Sequence, residues 1–110
     1  MSYSVFPTPD FKKLVKKLAK KYPSLKTDLQ QLIDTLTKEP TTGTDLGHGI
    51  HKIRMAISSK GKGKSGGARM ITFLVTDDKE VYLMHIYDKS QLDNLTKDQI
   101  LELLQKAGLL

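Results

Sequence analysis

Two clusters of basic residues carry the chemistry that this sequence suggests. The first is Lys52-Ile53-Arg54, whose two cations lie two residues apart and would share one face of a strand. The second is the run 60–69, in which lysines alternate with glycines and which ends at Arg69. Cations held at fixed spacing beside a glycine-rich loop suit a phosphate backbone. With the later Tyr87-Asp88-Lys89, they predict an RNA-cleaving site made without histidine, cysteine or metal.

The basic residues would act as a phosphate clamp on an open sheet face. The loop returns the chain so that Arg69 can lie beside Lys52 and Arg54. Attack by the 2′-hydroxyl of RNA develops negative charge on the phosphorane, which fixed cations stabilise. A lysine crowded by other cations has a lowered pKa and could act as a general base. A phosphate-binding face without chemistry explains these residue types equally well.

Two other motifs are weaker. Gly63-Lys64-Ser65 is similar to the end of a P-loop, but Ser58 stands where that motif needs glycine, and the segment leads into a strand rather than a helix. Histidines can perform acid–base chemistry on RNA, but the sequence does not bring His48, His51 and His85 together. No carboxylate or cysteine cluster accompanies them for a metal. We interpret them as turn and sheet residues.

Composition predicts one basic domain that spans residues 1–110. The net charge is +6 and the pI is about 9.5, so we expect a polyanionic partner, either nucleic acid or an acidic protein. The absence of cysteine excludes disulfides and thiol chemistry and fits a cytoplasmic location. The amino terminus does not read as a signal peptide, and no apolar run reaches the length of a membrane span, so no membrane partner is expected.

The elements that must position the basic clusters form an α+β domain. The predicted order is an edge strand, two amphipathic helices, three strands and a short helix. The strands are 3–6, 50–57, 68–75 and 81–87. The first helix starts at the signal Thr8-Pro9-Asp10 and runs to 22, the second covers 25–36, and the last follows the capping box of Thr96 and Gln99. The helical hairpin is expected to pack on one face of an antiparallel sheet, with the other face open to hold the charged strand residues. The segment 41–49 is interpreted as turns, and the loop 58–67 as mobile when empty.

Four segments carry a family resemblance. They are Lys52-Ile53-Arg54, the stretch 63–71, the stretch 82–89 and the ending Asn94-Leu95-Thr96. Together they resemble the RelE superfamily of bacterial toxins, and most closely its HigB-like branch. The resemblance implies a RelE/ParE-like fold and an mRNA endoribonuclease, or mRNA interferase, that needs no cofactor. It also implies action on mRNA at the ribosome, with contacts to rRNA, and a cognate antitoxin, which the +6 charge predicts to be acidic.

The resemblance also assigns residues. It places Lys52, Arg54, Arg69 and Lys89 on the mRNA, with Tyr87 stacking on a base or assisting. We add the loop cations as RNA-binding residues, and these are Lys60, Lys62 and Lys64. The chain departs from the family pattern twice, since Lys89 stands where arginine is the better-known general acid and the later tyrosine is replaced within 94–96. The acid assignment therefore stays open, as do two other functions: a ParE-like inhibitor of DNA gyrase and a non-catalytic RNA-binding module.

Overall fold

The computed structural model describes residues 2–61, 63–90 and 96–109. Within these ranges the helices and strands are β1 (Ser4–Pro7), α1 (Pro9–Lys21), α2 (Leu25–Lys38), β2 (Thr44–Gly47), β3 (Ile50–Met55), β4 (Ala68–Val75), β5 (Glu80–Asp88) and α3 (Lys97–Lys106). They form an α+β fold around one sheet with strand order β1-β5-β4-β3-β2. The predicted fold class is confirmed, with one correction. The sheet is mixed, because β1 pairs in parallel with β5 while the other neighbours are antiparallel.

The helical hairpin packs on one face of the sheet, as predicted. Thr8 caps α1 by accepting a hydrogen bond from the Phe11 amide, and Pro9 occupies the first turn, where its missing N–H is not needed. The apolar stripes of both helices are buried against the sheet, and the buried cluster includes Phe11, Leu18, Leu25, Leu29, Leu36, Ile53, Met55, Met70, Leu83 and Ile86. The lysines of α1 remain on its outer faces.

The second face of the sheet is covered in part by α3. Ile100 and Leu104 pack with Ile50, Ile71 and Met84 in a separate apolar cluster. Strand β5 carries a bulge beside this cluster: Ile71 pairs with His85 while the next residue of β4 pairs with Leu83, so one extra residue of β5 is accommodated between them. The expectation of a fully open face is therefore wrong. The predicted capping box of α3 is confirmed, since Thr96 and Gln99 exchange hydrogen bonds.

Strand β2 was not predicted, because 41–49 carries turn residues rather than alternating apolar ones. Its four residues are all exposed, and the pairing with β3 shifts register between Asp45 and Gly47. Its neighbour Gly43 has φ 100°, and a Cβ there would lie 2.5 Å from the Lys52 carbonyl oxygen. The close approach of the two backbones therefore explains why a glycine occupies this position. It lets β2 lie directly beside the strand that bears Lys52.

Candidate functional site

The register of the central strands brings the predicted cations together. Arg54 on β3 lies opposite Arg69 on β4, which lies opposite Tyr87 on β5. In the next row, Lys52 on β3 and His85 on β5 are both paired with the same residue of β4, one from each side. Directly opposed residues project from the same face of a sheet. We call the face formed by these two rows, together with Lys89 at the end of β5, the basic surface.

The cations of the basic surface form one electrostatic cluster. Arg54 is exposed and Lys52 is half-buried. The pKa of Lys52 is lowered, first by its burial and then by the positive charges of Arg69, Lys89 and Arg54. Like charges directly opposite each other on a sheet are destabilising, so the pairing of Arg54 with Arg69 does not serve stability. Such a lysine is easier to deprotonate than an ordinary one, which suits a general base.

Arg69 differs from the predicted clamp. The residue is only 4% exposed. Its Nη1 donates to the carbonyl oxygens of Lys64 (2.9 Å) and Ala68 (3.2 Å), and its Nη2 donates to that of Ser65 (3.1 Å). The guanidinium therefore holds the glycine-rich loop to the sheet and adds positive charge from beneath the basic surface. The sequence did indicate its position beside Arg54, but not this attachment.

Tyr87 and His85 line the β5 side of the basic surface. Tyr87 is 7% exposed, and among the residues that the structure describes no group forms a hydrogen bond with its hydroxyl. Burial raises the pKa of Tyr87, although Arg69 opposes this. The His85 ring centroid lies 5.9 Å from that of Tyr87, and burial lowers the pKa of His85 against the pull of Asp10. Sequence reasoning treated His85 as an ordinary sheet residue, because the register was unknown.

The other histidines lie elsewhere, as interpreted. His48 is exposed in the turn between β2 and β3, and His51 is buried one residue from Lys52, on the opposite side of β3. No group of three metal-ligating side chains is found among the described histidines and carboxylates. The loop enters β4 rather than a helix, which also excludes the P-loop reading. None of the helices within the described ranges is long and apolar enough to cross a membrane.

The three loop lysines have different environments. Lys64 is exposed beside the basic surface. Lys62 lies outside the described residues. Lys60, which was predicted to bind RNA, has a different environment: its ammonium forms a 2.7 Å salt bridge with Asp88, and its side chain is 10% exposed. Asp88 alternates with Tyr87 along β5 and so faces the other side of the sheet. The sequence offered no signal for this pairing.

A second surface lies between the two hairpin helices. A groove of about 760 Å³ runs there, with an apolar floor that includes Val15, Ala19, Leu29 and Ile33. Its rim is formed by lysines, which are Lys12, Lys16, Lys20 and Lys26. The lysine-rich faces of α1 thus border apolar surface, an arrangement that suits an acidic amphipathic segment.

Comparison with known proteins places this arrangement in a family. The model of the RelE toxin of the RelE / RelB toxin-antitoxin system matches residues 4–110. The chain belongs to the RelE toxin family. A solved structure of the E. coli toxin RelE in the free state, in which two arginines are replaced by alanine, shares the fold with a TM-score of 0.64 at 13% sequence identity. The similarity covers 96% of this chain and 98% of the E. coli RelE chain. The family match confirms the predicted resemblance to the RelE superfamily, and the structural match confirms the predicted fold.

Proposed function

We propose that this RelE-family toxin is an mRNA endoribonuclease of the HigB-like branch that acts on mRNA at the ribosome. The observation that carries the proposal is the position of Lys52, which is half-buried on β3 with three cations around it. Its burial, followed by the charges of these cations, lowers its pKa. A surface that only held phosphate would gain from a fully charged lysine, whereas a base must lose its proton.

The proposed reaction uses the four cations in different roles. Lys52 takes the proton of the 2′-hydroxyl, and the 2′-oxygen forms a bond to phosphorus. Arg54, which is exposed, contacts the phosphorane oxygens, and the Arg69 charge supports it from beneath. Lys89 donates a proton to the 5′-oxygen as the phosphorus–oxygen bond breaks. The products are a 2′,3′-cyclic phosphate and a 5′-hydroxyl, and this chemistry requires no cofactor or metal.

The loop would orient the RNA. Tyr87 lies beside the row of cations but is only 7% exposed, so we propose that it assists the site from within the sheet rather than by stacking on a base. Lys64 is exposed at the loop, and we propose that it contacts backbone phosphates of mRNA or rRNA. We propose the same contact for Lys62. Lys60 is better explained by its salt bridge with Asp88.

The proposed antagonist is an acidic antitoxin. An acidic amphipathic helix would place its apolar side on the floor of the α1–α2 groove and its carboxylates against the lysine rim. The exposed edge of β2 offers a second contact for the same partner. Because the proposed substrate is mRNA on translating ribosomes, we propose that the toxin acts in the cytoplasm.

Single-turnover cleavage of a defined mRNA tests the proposal. The reaction is run with and without ribosomes. Arg54→Ala should lower the rate by about 10²–10³-fold, whereas Lys38→Ala, which removes the same charge from an exposed position on α2, should leave it unchanged. Cleavage in the presence of ribosomes that is lost in Arg54→Ala and kept in Lys38→Ala supports the proposal. An intact mRNA in the ribosome reaction, from a folded protein, would refute it.

A further inference from the structure

A buried carboxylate lies next to the proposed general acid. Asp88 is 0% exposed. It accepts hydrogen bonds from the Tyr22 hydroxyl and from the Lys60 ammonium, the latter at 2.7 Å. Burial alone would raise the pKa of Asp88, but these hydrogen bonds and those from Ser90 outweigh burial and hold the pKa well below its usual range. The carboxylate is therefore charged, and its position is fixed from several sides.

The same carboxylate closes a turn around Lys89. Asp88 Oδ1 accepts hydrogen bonds from the Ser90 amide (3.0 Å) and from the Ser90 hydroxyl (2.9 Å). These bonds join the residues on either side of Lys89, as in an Asx-turn. The Lys89 amide itself donates to the Gly67 carbonyl oxygen at 3.1 Å. Gly67 is in turn packed against the end of β3, since a Cβ there would lie 2.0 Å from the Met55 carbonyl oxygen. The backbone of Lys89 is thus restrained on both sides.

The contacts of Asp88 reach across the fold. Tyr22 ends α1, and Lys60 ends a short 3-10 turn that begins at Ser58. That turn is also attached to α2, because Ser58 donates to Asp28 through both its amide (2.8 Å) and its hydroxyl (2.6 Å). Lys60 further lies 5.4 Å from the centre of the Tyr22 ring. The helical hairpin, the loop and the end of β5 therefore meet at one carboxylate.

We propose that Asp88 is a positioning residue for Lys89: held by Tyr22 and Lys60, it fixes the turn that presents the Lys89 ammonium to the basic surface. This inference rests on the proposed function, in which Lys89 donates the proton. It also assigns Lys60 a role in orienting the site rather than in binding RNA. A misplacement of a catalytic group by about 1 Å can lower a rate by about 10²-fold, so a rigid turn at this residue matters for the chemistry.

The test uses three variants of the full chain. Tyr22→Phe removes one donor to Asp88 without changing the packing, and Asp88→Asn removes its charge. Tyr82→Phe is the matched control, because Tyr82 donates to Glu80 at 2.9 Å in the first half of the same strand. Each variant is compared with the wild type in the ribosomal cleavage reaction, by single-turnover rate and by the concentration that gives half-saturation. Amide hydrogen exchange at Lys89 is measured in parallel.

We expect Tyr22→Phe to slow cleavage about 10-fold and Asp88→Asn about 100-fold, with half-saturation within about twofold of wild type. Exchange of the Lys89 amide should accelerate about 10-fold in Tyr22→Phe and stay unchanged in Tyr82→Phe, because only the first loosens the Gly67 contact. Wild-type rate and wild-type Lys89 exchange in Tyr22→Phe would overturn the inference, even if its melting temperature fell. If Asp88→Asn does not fold, Tyr22→Phe decides. If the wild-type protein does not cleave RNA, the proposed function fails. The positioning role of Asp88 is then tested by the hydrogen exchange of the Lys89 amide alone.

Discussion

Replacement of Arg69 by alanine should affect both the loop and the chemistry. The guanidinium donates to the carbonyls of Lys64, Ser65 and Ala68 at 2.9–3.2 Å. Hydrogen bonds from a charged group contribute about 1.5–3 kcal/mol each. Lys64 and Ser65 are exposed, so water can replace most of the two bonds to their carbonyls, and the bond to the buried Ala68 is the main loss. Relief of the like-charge pair with Arg54 returns up to about 1 kcal/mol. We therefore expect the free energy of unfolding to fall by about 2–3 kcal/mol.

The loss of activity should exceed the loss of stability. Removal of one preorganised charge should slow cleavage about 10²–10³-fold and abolish growth inhibition while the protein remains folded. The pKa of Lys52 should rise, because the Arg69 charge is one of the causes that lower it. Urea unfolding, growth curves and NMR titration of the Lys52 side chain measure the three effects. Arg69→Lys keeps the charge but lacks the planar fork, so it should retain the lowered Lys52 pKa and lose the loop contacts. Full toxicity in a folded Arg69→Ala variant would refute the reasoning.

Three further predictions concern stability and binding. The folded-state pKa of Asp88 is depressed, so the charged carboxylate stabilises the fold above the unfolded pKa of about 3.9, and this stabilisation is lost as the pH falls below that value. The difference in free energy of unfolding between wild type and Asp88→Asn, measured by urea unfolding, should therefore narrow below about pH 4. A difference that stays constant with pH would contradict this. Gly67→Ala should lower the free energy of unfolding by more than about 2 kcal/mol, because the added Cβ would meet the Met55 carbonyl. Gly61 has φ 70° but open space around it, so Gly61→Ala should lower the free energy of unfolding by only about 1–2 kcal/mol. Equal melting temperatures of the two variants would argue against the packing at Gly67. Stopped-flow association with the proposed acidic antitoxin should slow as salt rises from about 50 to 500 mM, while the complex persists. A salt-independent on-rate would show that the basic charge does not recruit this partner.

Much of the fold follows from local patterns in the sequence. The 3.6-residue spacing of apolar side chains defines the helical hairpin, and β4 was predicted with the bounds observed, Ala68–Val75. The capping box at Thr96 identified the start of α3. Strand β2 was not predicted, because its four residues are exposed and it is held by pairing with β3. Neither of its faces therefore needs an apolar pattern. The packing of α3 on the second face joins segments that are distant in the chain, and neither this contact nor the bulge in β5 beside it is revealed by sequence spacing.

The sequence predicts the site where the alternation of side chains along a strand sets their position. It does not predict the contacts of long, flexible side chains. The shared face of Lys52 and Arg54 follows from the period of a strand. The contacts of Arg69 and Lys60 do not, since long cationic side chains can reach carbonyls or a carboxylate on other segments. Asp88 gave no signal, because a lone acidic residue at a strand end is usually solvated. His85 joined the basic surface only once the register across β4 was known.

Mapping of mRNA ends after brief induction tests the central claim most directly. Cells that express the wild-type toxin are compared with cells that express Arg54→Ala and with cells that express the charge-matched Lys38→Ala. The account predicts new mRNA ends in phase with codons for wild type and for Lys38→Ala, and none for Arg54→Ala, because the cut needs the exposed cation of the basic surface. Growth arrest with intact mRNA and damaged DNA would contradict it and would favour a gyrase inhibitor on the same fold.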